Sequence, residues 1–102
     1  MITVIVKRVN SCIVSIDIQG HALFAPKGKD LVCAGVSTIA VGGMNALEEL
    51  AHGVCRLQME EGKIMIQVQD FQSEKAQFIL ETILIQLLTM EESYGNYIQI
   101  KQ

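Results

Sequence analysis

The sequence predicts an α+β fold, a two-layer sandwich of order ββαββαβ in which two helices pack on a mainly antiparallel sheet. Apolar and polar residues alternate, with the period of half-buried strands, in three stretches: residues 2–8, 12–18 and 54–70. Apolar residues recur with the period of helices in residues 32–50 and 76–88. The 102 residues, half of them apolar, suffice for one core, so we expect a single domain over residues 1–102.

The first two strands should form a hairpin with one buried face. The even-numbered residues 2–6 are apolar, and the dipeptide Asn10-Ser11 then provides a turn. In the second strand the apolar side consists of Cys12, Val14, Ile16 and Ile18. Cys12 is therefore expected to be a small core residue rather than a reactive one.

A loop and a long helix should follow the hairpin. Residues 20–29 contain two glycines and the only proline, Pro26, which predicts an exposed loop. Asp30 is a good helix N-cap and places residues 31–33 in the first turn. Small and apolar residues then recur at helical spacing: Val32, Val36, Ile39, Ala40, Gly43, Leu47 and Leu50. Because a mid-helix glycine costs about 1 kcal/mol relative to alanine, Gly42-Gly43 should mark either a close approach of another backbone or a bend.

The second half of the chain should supply another hairpin, a second helix and a last strand. The turn Glu61-Gly62 divides the third alternating stretch, and Ser73 can cap the helix that follows. This helix carries a wide apolar stripe: Ala76, Ile79, Leu80, Ile83, Leu84, Leu87 and Leu88. Further apolar residues lie toward its edges: Phe78, Ile85 and Met90. The helix thus has more apolar surface than one small sheet needs. After the helix, a strand over 97–101 should close the sheet.

Composition and charge exclude several classes of protein. The net charge of −3 and the pI near 5.2 argue against tight binding of bare nucleic acid, which needs a positive surface. Polar residues interrupt the apolar runs before the roughly 18 residues that cross a bilayer, and the N-terminus does not resemble a signal sequence, so we expect no membrane span and a cytoplasmic protein. Three cysteines are an odd number for a disulfide framework, so each thiol serves in the core or in chemistry.

A cysteine and a histidine stand at the two ends of the predicted loop. Cys33 is the third residue of the first helix, where unpaired backbone N–H groups and the helix dipole favour a thiolate. His21 follows the second strand, and the chain between the two residues is long enough to allow contact. A thiolate is a nucleophile, and a neighbouring imidazole can return the proton to a leaving amine. By pattern alone Cys33 also fits a core residue of an apolar helix, and this alternative stays open.

Neighbouring residues are candidates for supporting roles. Ser37 shares the helix flank of the cysteine, where its hydroxyl supports the thiol or the substrate, or bonds back to the helix backbone. Asp30 caps the helix or orients His21, and capping is the simpler role. Gly20 allows the backbone to turn so that His21 points inward. The N–H groups of residues 32–34 are candidate oxyanion donors by position.

A zinc site is a competing use of the same residue types. His52 and Cys55 are separated by two residues and, with His21 and Cys33, would supply two histidines and two cysteines. The spacing between His21 and Cys33 matches no common zinc framework, and Cys55 points with a core-facing set. We therefore expect no metal and no cofactor, and we interpret His52 as a solvated turn residue.

Two motifs flank the loop: Gly20-His21-Ala22 and, after variable residues, Asp30-Leu31-Val32-Cys33-Ala34 with Ser37. They resemble the signature of the ribosomal-processing cysteine proteases called Prp, and the resemblance covers the whole chain in length and element order. It implies a dyad in which Cys33 is the nucleophile and His21 the base. It also implies supporting roles for Gly20, Asp30 and Ser37.

The resemblance implies an endopeptidase that removes a short N-terminal extension from large-subunit ribosomal protein twenty-seven, so the extension would be the peptide partner. In Prp-like proteins the loop that corresponds to residues 22–29 is mobile, and here its Leu23 and Phe24 would contact apolar side chains of the substrate. Prp-like proteins are usually dimeric, and the surplus apolar surface of the second helix fits a homodimer. A helix fully buried in a monomer would show the same stripe.

Two other functions remain open from the sequence. A non-catalytic ribosome-associated module would use Cys33 and His21 only to pack the loop. A thiol redox protein would need a Cys-x-x-Cys pair or a nearby resolving cysteine, and the sequence contains neither. Fast alkylation of Cys33 at neutral pH would distinguish the protease from the module.

Overall fold

The computed structural model describes residues 1–102 and confirms the predicted order of elements. The strands are β1 (Ile2–Val9), β2 (Cys12–Gly20), β3 (Cys55–Glu60), β4 (Lys63–Val68) and β5 (Ile98–Lys101). The helices are α1 (Leu31–Leu50) and α2 (Glu74–Tyr94). The sheet has the order β3-β4-β2-β1-β5, and only β1 and β5 pair in parallel. The sheet is therefore mixed but mainly antiparallel, as the sequence predicted.

The core lies between the sheet and the two helices. It is a cluster of 20 buried apolar residues, drawn mainly from one face of the strands and from helical positions at the predicted spacing. Among the largest fully buried side chains are Ile16, Ile66, Leu47, Leu80 and Leu87. Burial of each contributes roughly 1.5–3 kcal/mol. Ile18 near the end of β2 and Val32 at the start of α1 belong to this core, so both ends of the loop between them are anchored.

The first residues of β2 depart from the predicted alternation. Lys7 of β1 pairs with Ser15, whereas the next residue of β1 pairs with Ile13, so the ladder contains a β-bulge at Val14. A bulge adds one residue and reverses the face of the residues before it. Ile13 is therefore fully buried, whereas Cys12 is only partly buried and lies outside the core cluster. The prediction of a core Cys12 is wrong because the bulge interrupts the period of two.

A side chain of α2 provides the backbone partners that β2 lacks at the bulge. Gln77 Oε1 accepts a hydrogen bond from the N–H of Ile13, and Gln77 Nε2 donates to the Ile13 carbonyl, each over 2.8 Å. The amide thus pairs with β2 as a neighbouring strand would. An ion pair between Arg8 and Glu81, 2.5 Å apart, joins β1 to the same helix.

The two adjacent glycines of α1 have different surroundings. A Cβ at Gly43 would lie 2.5 Å from both Cγ1 and Cδ1 of Ile83, whereas a Cβ at Gly42 would meet nothing within 4 Å. The close approach expected at this pair is therefore confined to Gly43, and the partner is a side chain of α2 rather than a backbone. A Cβ at Gly35 would similarly lie 2.7 Å from Cε of Met90. Glycines of α1 thus make room for side chains of α2.

By length and composition alone, helix α1 is long and apolar enough to cross a membrane. A helix that packs in the core of a folded domain can have the same length and composition. Here the buried residues of α1 face the interior of the domain: Val32, Val36, Ala40, Gly43 and Leu47. In this fold α1 packs one face against the core.

Helix α2 begins as predicted and keeps exposed apolar side chains. Ser73 is its N-cap and accepts a hydrogen bond from the Ala76 N–H over 3.3 Å. Phe78 and Ile85 are 79% and 61% exposed, so the predicted surplus of apolar surface is present on the outside of the domain. Met90 is instead partly buried and packs against the core.

Candidate active site

Gly20 ends β2 and turns the chain into the loop of residues 21–30, called here the β2–α1 loop. Its φ of +95° is a conformation that residues with side chains rarely adopt. A side chain at this position would also collide with the carbonyl oxygen of Met1. The Gly20 N–H donates to the Gly62 carbonyl over 3.0 Å. The backbone bend before His21 is therefore fixed to the turn between β3 and β4.

His21 is exposed, and its imidazole lies against the β3–β4 turn. The Nε2 atom is 3.0 Å from the position that a Cβ at Gly62 would occupy. No hydrogen bond joins the imidazole to Cys33 or Asp30 in this structure, where both residues bond to backbone N–H groups instead. Catalytic hydrogen bonds are often long in the absence of substrate and shorten when substrate binds.

Ala22 connects the β2–α1 loop directly to the cysteine. This residue is buried, and its N–H donates to Cys33 Sγ over 3.3 Å. The sulfur is thereby held beside the residue that follows His21. Cys33 and His21 both line the same two cavities, so the structure brings the two predicted reactive side chains into one place.

Asp30 is the N-cap of α1, as predicted. Its Oδ1 accepts from the Cys33 N–H over 3.0 Å, and its Oδ2 accepts from the Phe24 N–H over 3.0 Å. The Cys33 N–H is the main cause that lowers the pKa of the Asp30 carboxyl below its ordinary value, and the Phe24 N–H lowers it further. One carboxylate therefore fixes both the backbone of the cysteine and the first part of the β2–α1 loop. Of its two candidate roles, capping is the one present in this structure.

Two of the three candidate oxyanion donors are occupied. The Cys33 N–H binds the Asp30 carboxylate, and the Ala34 N–H donates to the Asp30 carbonyl over 3.0 Å. These N–H groups are not free in this structure because the N-cap uses the donors that an uncapped helix would offer.

A groove, called here the α1 groove, runs along α1 on both sides of Cys33. Its first chamber, about 460 Å³, lies between α1 and the β3–β4 turn, and its second, about 520 Å³, lies between α1 and the β2–α1 loop. Apolar side chains line much of the first chamber: Ile2, Ile18, Val36, Val41, Met59 and Ile64. Four residues border both chambers: His21, Cys33, Ser37 and Glu61. An extended peptide in this groove would place residues on either side of the sulfur.

The other predicted site residues take different positions. Ser37 is exposed and borders both chambers, and its hydroxyl forms no hydrogen bond with the helix backbone. Leu23 has a φ of +57°, is 79% exposed and borders the second chamber. Phe24 borders neither chamber, and its ring packs edge-on against Tyr94 and Tyr97, with centroids 6.0 and 5.1 Å away. Phe24 thus anchors the β2–α1 loop to the end of α2.

The β3–β4 turn is a part of the site that the sequence analysis missed. Gly62 lies against the His21 ring, and Glu61 borders both chambers. Glu61 also forms an ion pair with Lys27, whose Nζ lies 3.2 Å from Oε1, so the turn contacts the β2–α1 loop. The turn is far from both motifs in sequence, and its only signal is a glycine that any tight hairpin would contain.

The remaining cysteines lie outside the α1 groove. Cys55 is partly buried against the core, and burial raises the pKa of its thiol. The exposed His52 places Nδ1 2.8 Å from Oε1 of Glu48. No group of three or more His, Cys, Asp or Glu side chains is arranged to hold a metal ion. Of the three cysteines, Cys33 alone borders the α1 groove.

The chain is similar to known proteins over most of its length. Residues 1–99 match the sequence profile of the family described as cysteine protease Prp. The ribosomal processing cysteine protease Prp of Staphylococcus aureus is 34% identical over 84 residues, which cover 80% of this chain and 79% of that protein. The Bacillus subtilis protein of the same name is 33% identical over 94 residues, which cover 86% and 84%. The crystal structure of the S. aureus protease with a covalently linked product peptide has a TM-score of 0.95 to this structure at 32% identity, covering 99% of this chain and 98% of that chain.

Proposed function

The chain belongs to the cysteine protease Prp family, and from this we propose that it is an endopeptidase that removes an N-terminal extension from large-subunit ribosomal protein twenty-seven. Cys33 is the nucleophile and His21 the general base and acid. The observation that carries the proposal is that both side chains border one groove, with the Ala22 N–H on Cys33 Sγ. The covalently linked product peptide in the S. aureus relative agrees with chemistry at a nucleophilic side chain.

The reaction has two halves. In the first, the Cys33 thiol gives its proton to His21, and the sulfur attacks the scissile carbonyl carbon. The C–N bond breaks, the imidazolium passes the proton to the leaving amine, and the acyl part of the substrate remains bound to sulfur as a thioester. In the second half His21 takes a proton from water, whose oxygen attacks the thioester. The C–S bond breaks, the acid product leaves, and the proton on His21 returns to the sulfur.

Two residues outside the dyad place its members. Asp30 holds the Cys33 N–H, so the nucleophile starts from a fixed backbone position in the first turn of α1. Gly20 permits the bend that directs His21 toward the β3–β4 turn. Neither residue takes part in proton transfer in this mechanism.

The α1 groove suits a peptide with apolar side chains. The apolar lining of the first chamber would bind such side chains next to Cys33. In the second chamber Leu23 and Ser37 are exposed to a bound peptide. Phe24 would contact substrate only after leaving its place against α2, so a role for this residue in binding requires residues 22–29 to move.

We further propose a cytoplasmic homodimer. Phe78 and Ile85 are largely exposed on the outside of α2, and a cavity of about 490 Å³ between the two helices lies beside Phe78. Burying this surface in a second copy would remove apolar area from water. Size-exclusion chromatography with light scattering tests this, with the expectation that the wild type is dimeric and Phe78→Glu is monomeric. A monomeric wild type at micromolar concentration would contradict it.

The function is tested by cleavage of a peptide that copies the extension of the host ribosomal protein, followed by mass spectrometry. The wild type should cut at one site, and Cys33→Ala and His21→Ala should abolish cleavage while their circular dichroism stays native. Cys12→Ala and His52→Ala are matched controls, because both positions lie outside the α1 groove, and both should remain active. A wild type that cuts neither the peptide nor the full-length protein, and alkylates slowly at Cys33, would favour the non-catalytic module.

A further inference from the structure

We propose that Gly62 is a positioning residue for the catalytic histidine. Its missing side chain leaves the space in which the His21 imidazole lies, and the β3–β4 turn thereby sets where the base stands in the α1 groove. This inference rests on the proposed function only in taking His21 as the base.

The contact involves much of the ring. A Cβ at Gly62 would lie 3.0 Å from Nε2, 3.5 Å from Cε1 and 3.8 Å from Cδ2 of His21. The distance to Nε2 is tighter than an ordinary van der Waals contact, so a Cβ at position 62 would require the imidazole to move by a few tenths of an ångström. Of the two ring nitrogens, Nε2 is the one directed at the turn.

Hydrogen bonds fix the backbone on both sides of His21. The Gly20 N–H donates to the carbonyl of Gly62 itself over 3.0 Å. The Ala22 N–H donates to Cys33 Sγ over 3.3 Å. The residue before the histidine is therefore bound to the turn and the residue after it to the nucleophile. The imidazole lies against the one turn residue that offers no side chain.

The turn is itself firmly attached to the strand that carries His21. Glu60 and Lys63 are paired on its two sides, and Lys63 is also paired with Gln19 of β2. The hydrogen bond from Gly20 to Gly62 extends that β2–β4 ladder by one step. A displacement of the turn would therefore displace the base along with it.

Backbone conformation offers a competing reason for a glycine at position 62, because its φ is +72°. A comparison with Gly53 distinguishes the effect of the positive φ from the effect of contact with His21. Gly53 has a similar φ of +80°, but a Cβ there would meet nothing within 4 Å. Gly53→Ala thus introduces comparable backbone strain without contact to a side chain, whereas Gly62→Ala introduces the strain and the contact with His21.

The first experiment compares kcat, KM and the thermal midpoint of Gly62→Ala and Gly53→Ala with the wild type on the extension peptide. Both variants should lose similar stability. Gly62→Ala alone should lose about tenfold or more in kcat, with KM changed by less than about twofold, because a displaced base slows chemistry more than binding. Equal kcat in the two variants would overturn the proposal. If Gly62→Ala does not fold, Gly62→Asn carries the same Cβ on a residue that tolerates positive φ better, and Gly53→Asn becomes its control.

A second readout is independent of catalysis. The chain has two histidines, so the ring ¹³Cε1–¹H resonances of His21 and His52 can be followed separately by NMR. Gly62→Ala should shift the His21 resonance and leave that of His52 in place. An unmoved His21 resonance would overturn the proposal even if the wild type cleaves peptide. If instead the wild type is inactive, or His21→Ala is active, the assigned function fails while a shifted His21 resonance still supports the contact with Gly62.

Discussion

The backbone N–H of Ala22 donates to Sγ of Cys33 over 3.3 Å, so the residue beside His21 is bound to the sulfur itself. This bond and the two bonds accepted by Asp30 close the β2–α1 loop at its base. The Gly-His-Ala and Asp-x-x-Cys motifs are thereby joined in space by hydrogen bonds. Substitutions within residues 25–29 should therefore affect the outer part of the loop more than the relative positions of His21 and Cys33.

The three thiols should differ in reactivity. Cys33 borders the α1 groove, whereas Cys55 is partly buried and burial raises the pKa of its thiol, which leaves little thiolate at neutral pH. Limited iodoacetamide at pH 7, followed by peptide mapping, should label Cys33 first and Cys55 last. Cys33→Ala should remove the fast phase. Equal labelling rates for Cys33 and Cys55 would contradict this prediction.

Asp30 should make stability depend on acid pH. Its folded-state pKa is lowered, so its contribution is present above the ordinary aspartate pKa of about 4 and is lost as pH falls through the folded value. Asp30→Asn keeps one capping acceptor but cannot titrate. Its urea midpoint should lie below that of the wild type at pH 7, and the difference should shrink toward pH 3. Asp17→Asn, on the open face of the sheet, is the control, and an unchanged difference at pH 3 would refute the assignment.

The ion pair between Lys27 and Glu61 should tune activity rather than stability. Both side chains are highly exposed, 93% and 78%, so the pair is worth at most about 1 kcal/mol, or about fivefold in kcat/KM. Lys27→Glu and Glu61→Lys should each lower kcat/KM at low salt, and the double exchange should restore it. At 1 M NaCl the differences should vanish because salt screens exposed charges. Lys29→Glu with Glu61→Lys is the matched control, and restoration by that pair would show that only net charge matters.

The two adjacent glycines of α1 should respond in opposite ways to alanine. Gly42→Ala should raise the free energy of unfolding by about 0.5–1 kcal/mol, because it improves helix propensity and meets no other atoms. Gly43→Ala gains the same propensity but overlaps Ile83, so it should be about 1–3 kcal/mol less stable than Gly42→Ala. Urea denaturation measures both values. Equal stabilities would mean that Ile83 can move without cost.

The contact between Gln77 and the bulge should be important for stability. Gln77→Leu would leave the N–H and carbonyl of Ile13 without their partners, which should cost about 1–3 kcal/mol. Gln86→Leu is the matched control, since Gln86 is an exposed glutamine of the same helix. Urea denaturation of both variants checks the difference. A Gln77→Leu protein as stable as the control would indicate that water replaces the amide at no cost.

The local pattern of apolar residues was sufficient to predict the helices and strands of this fold. It was insufficient to predict which side chains of β2 face the core. Strand and helix periods depend on which neighbouring residues face the core, and that information is local, so every element was predicted in order. The bulge at Val14 is not local, because it depends on how β2 pairs with β1 and on Gln77 of α2. Cys12 was consequently assigned to the wrong face.

The residues of the site also fall into those that local sequence predicted and those that depend on long-range contacts. Cys33, His21 and Asp30 lie at the ends of one loop, and a short stretch of sequence was enough to predict that they border the same cavity. Glu61 and Gly62 reach the site only because β4 pairs with β2, a contact between distant parts of the chain. Phe24 was expected to face substrate, but its contacts with Tyr94 and Tyr97 depend on where α2 ends.

The position of Phe24 also provides an optical reporter. The chain has no tryptophan and two tyrosines, and both tyrosines pack edge-on against this one ring of the β2–α1 loop. Their ultraviolet emission therefore originates where the loop rests on the end of α2. Release of Phe24 would change the surroundings of both tyrosines at once. The unlabelled protein thus carries a fluorescence signal that would report opening of the loop, and stopped-flow mixing with peptide would test whether this movement occurs.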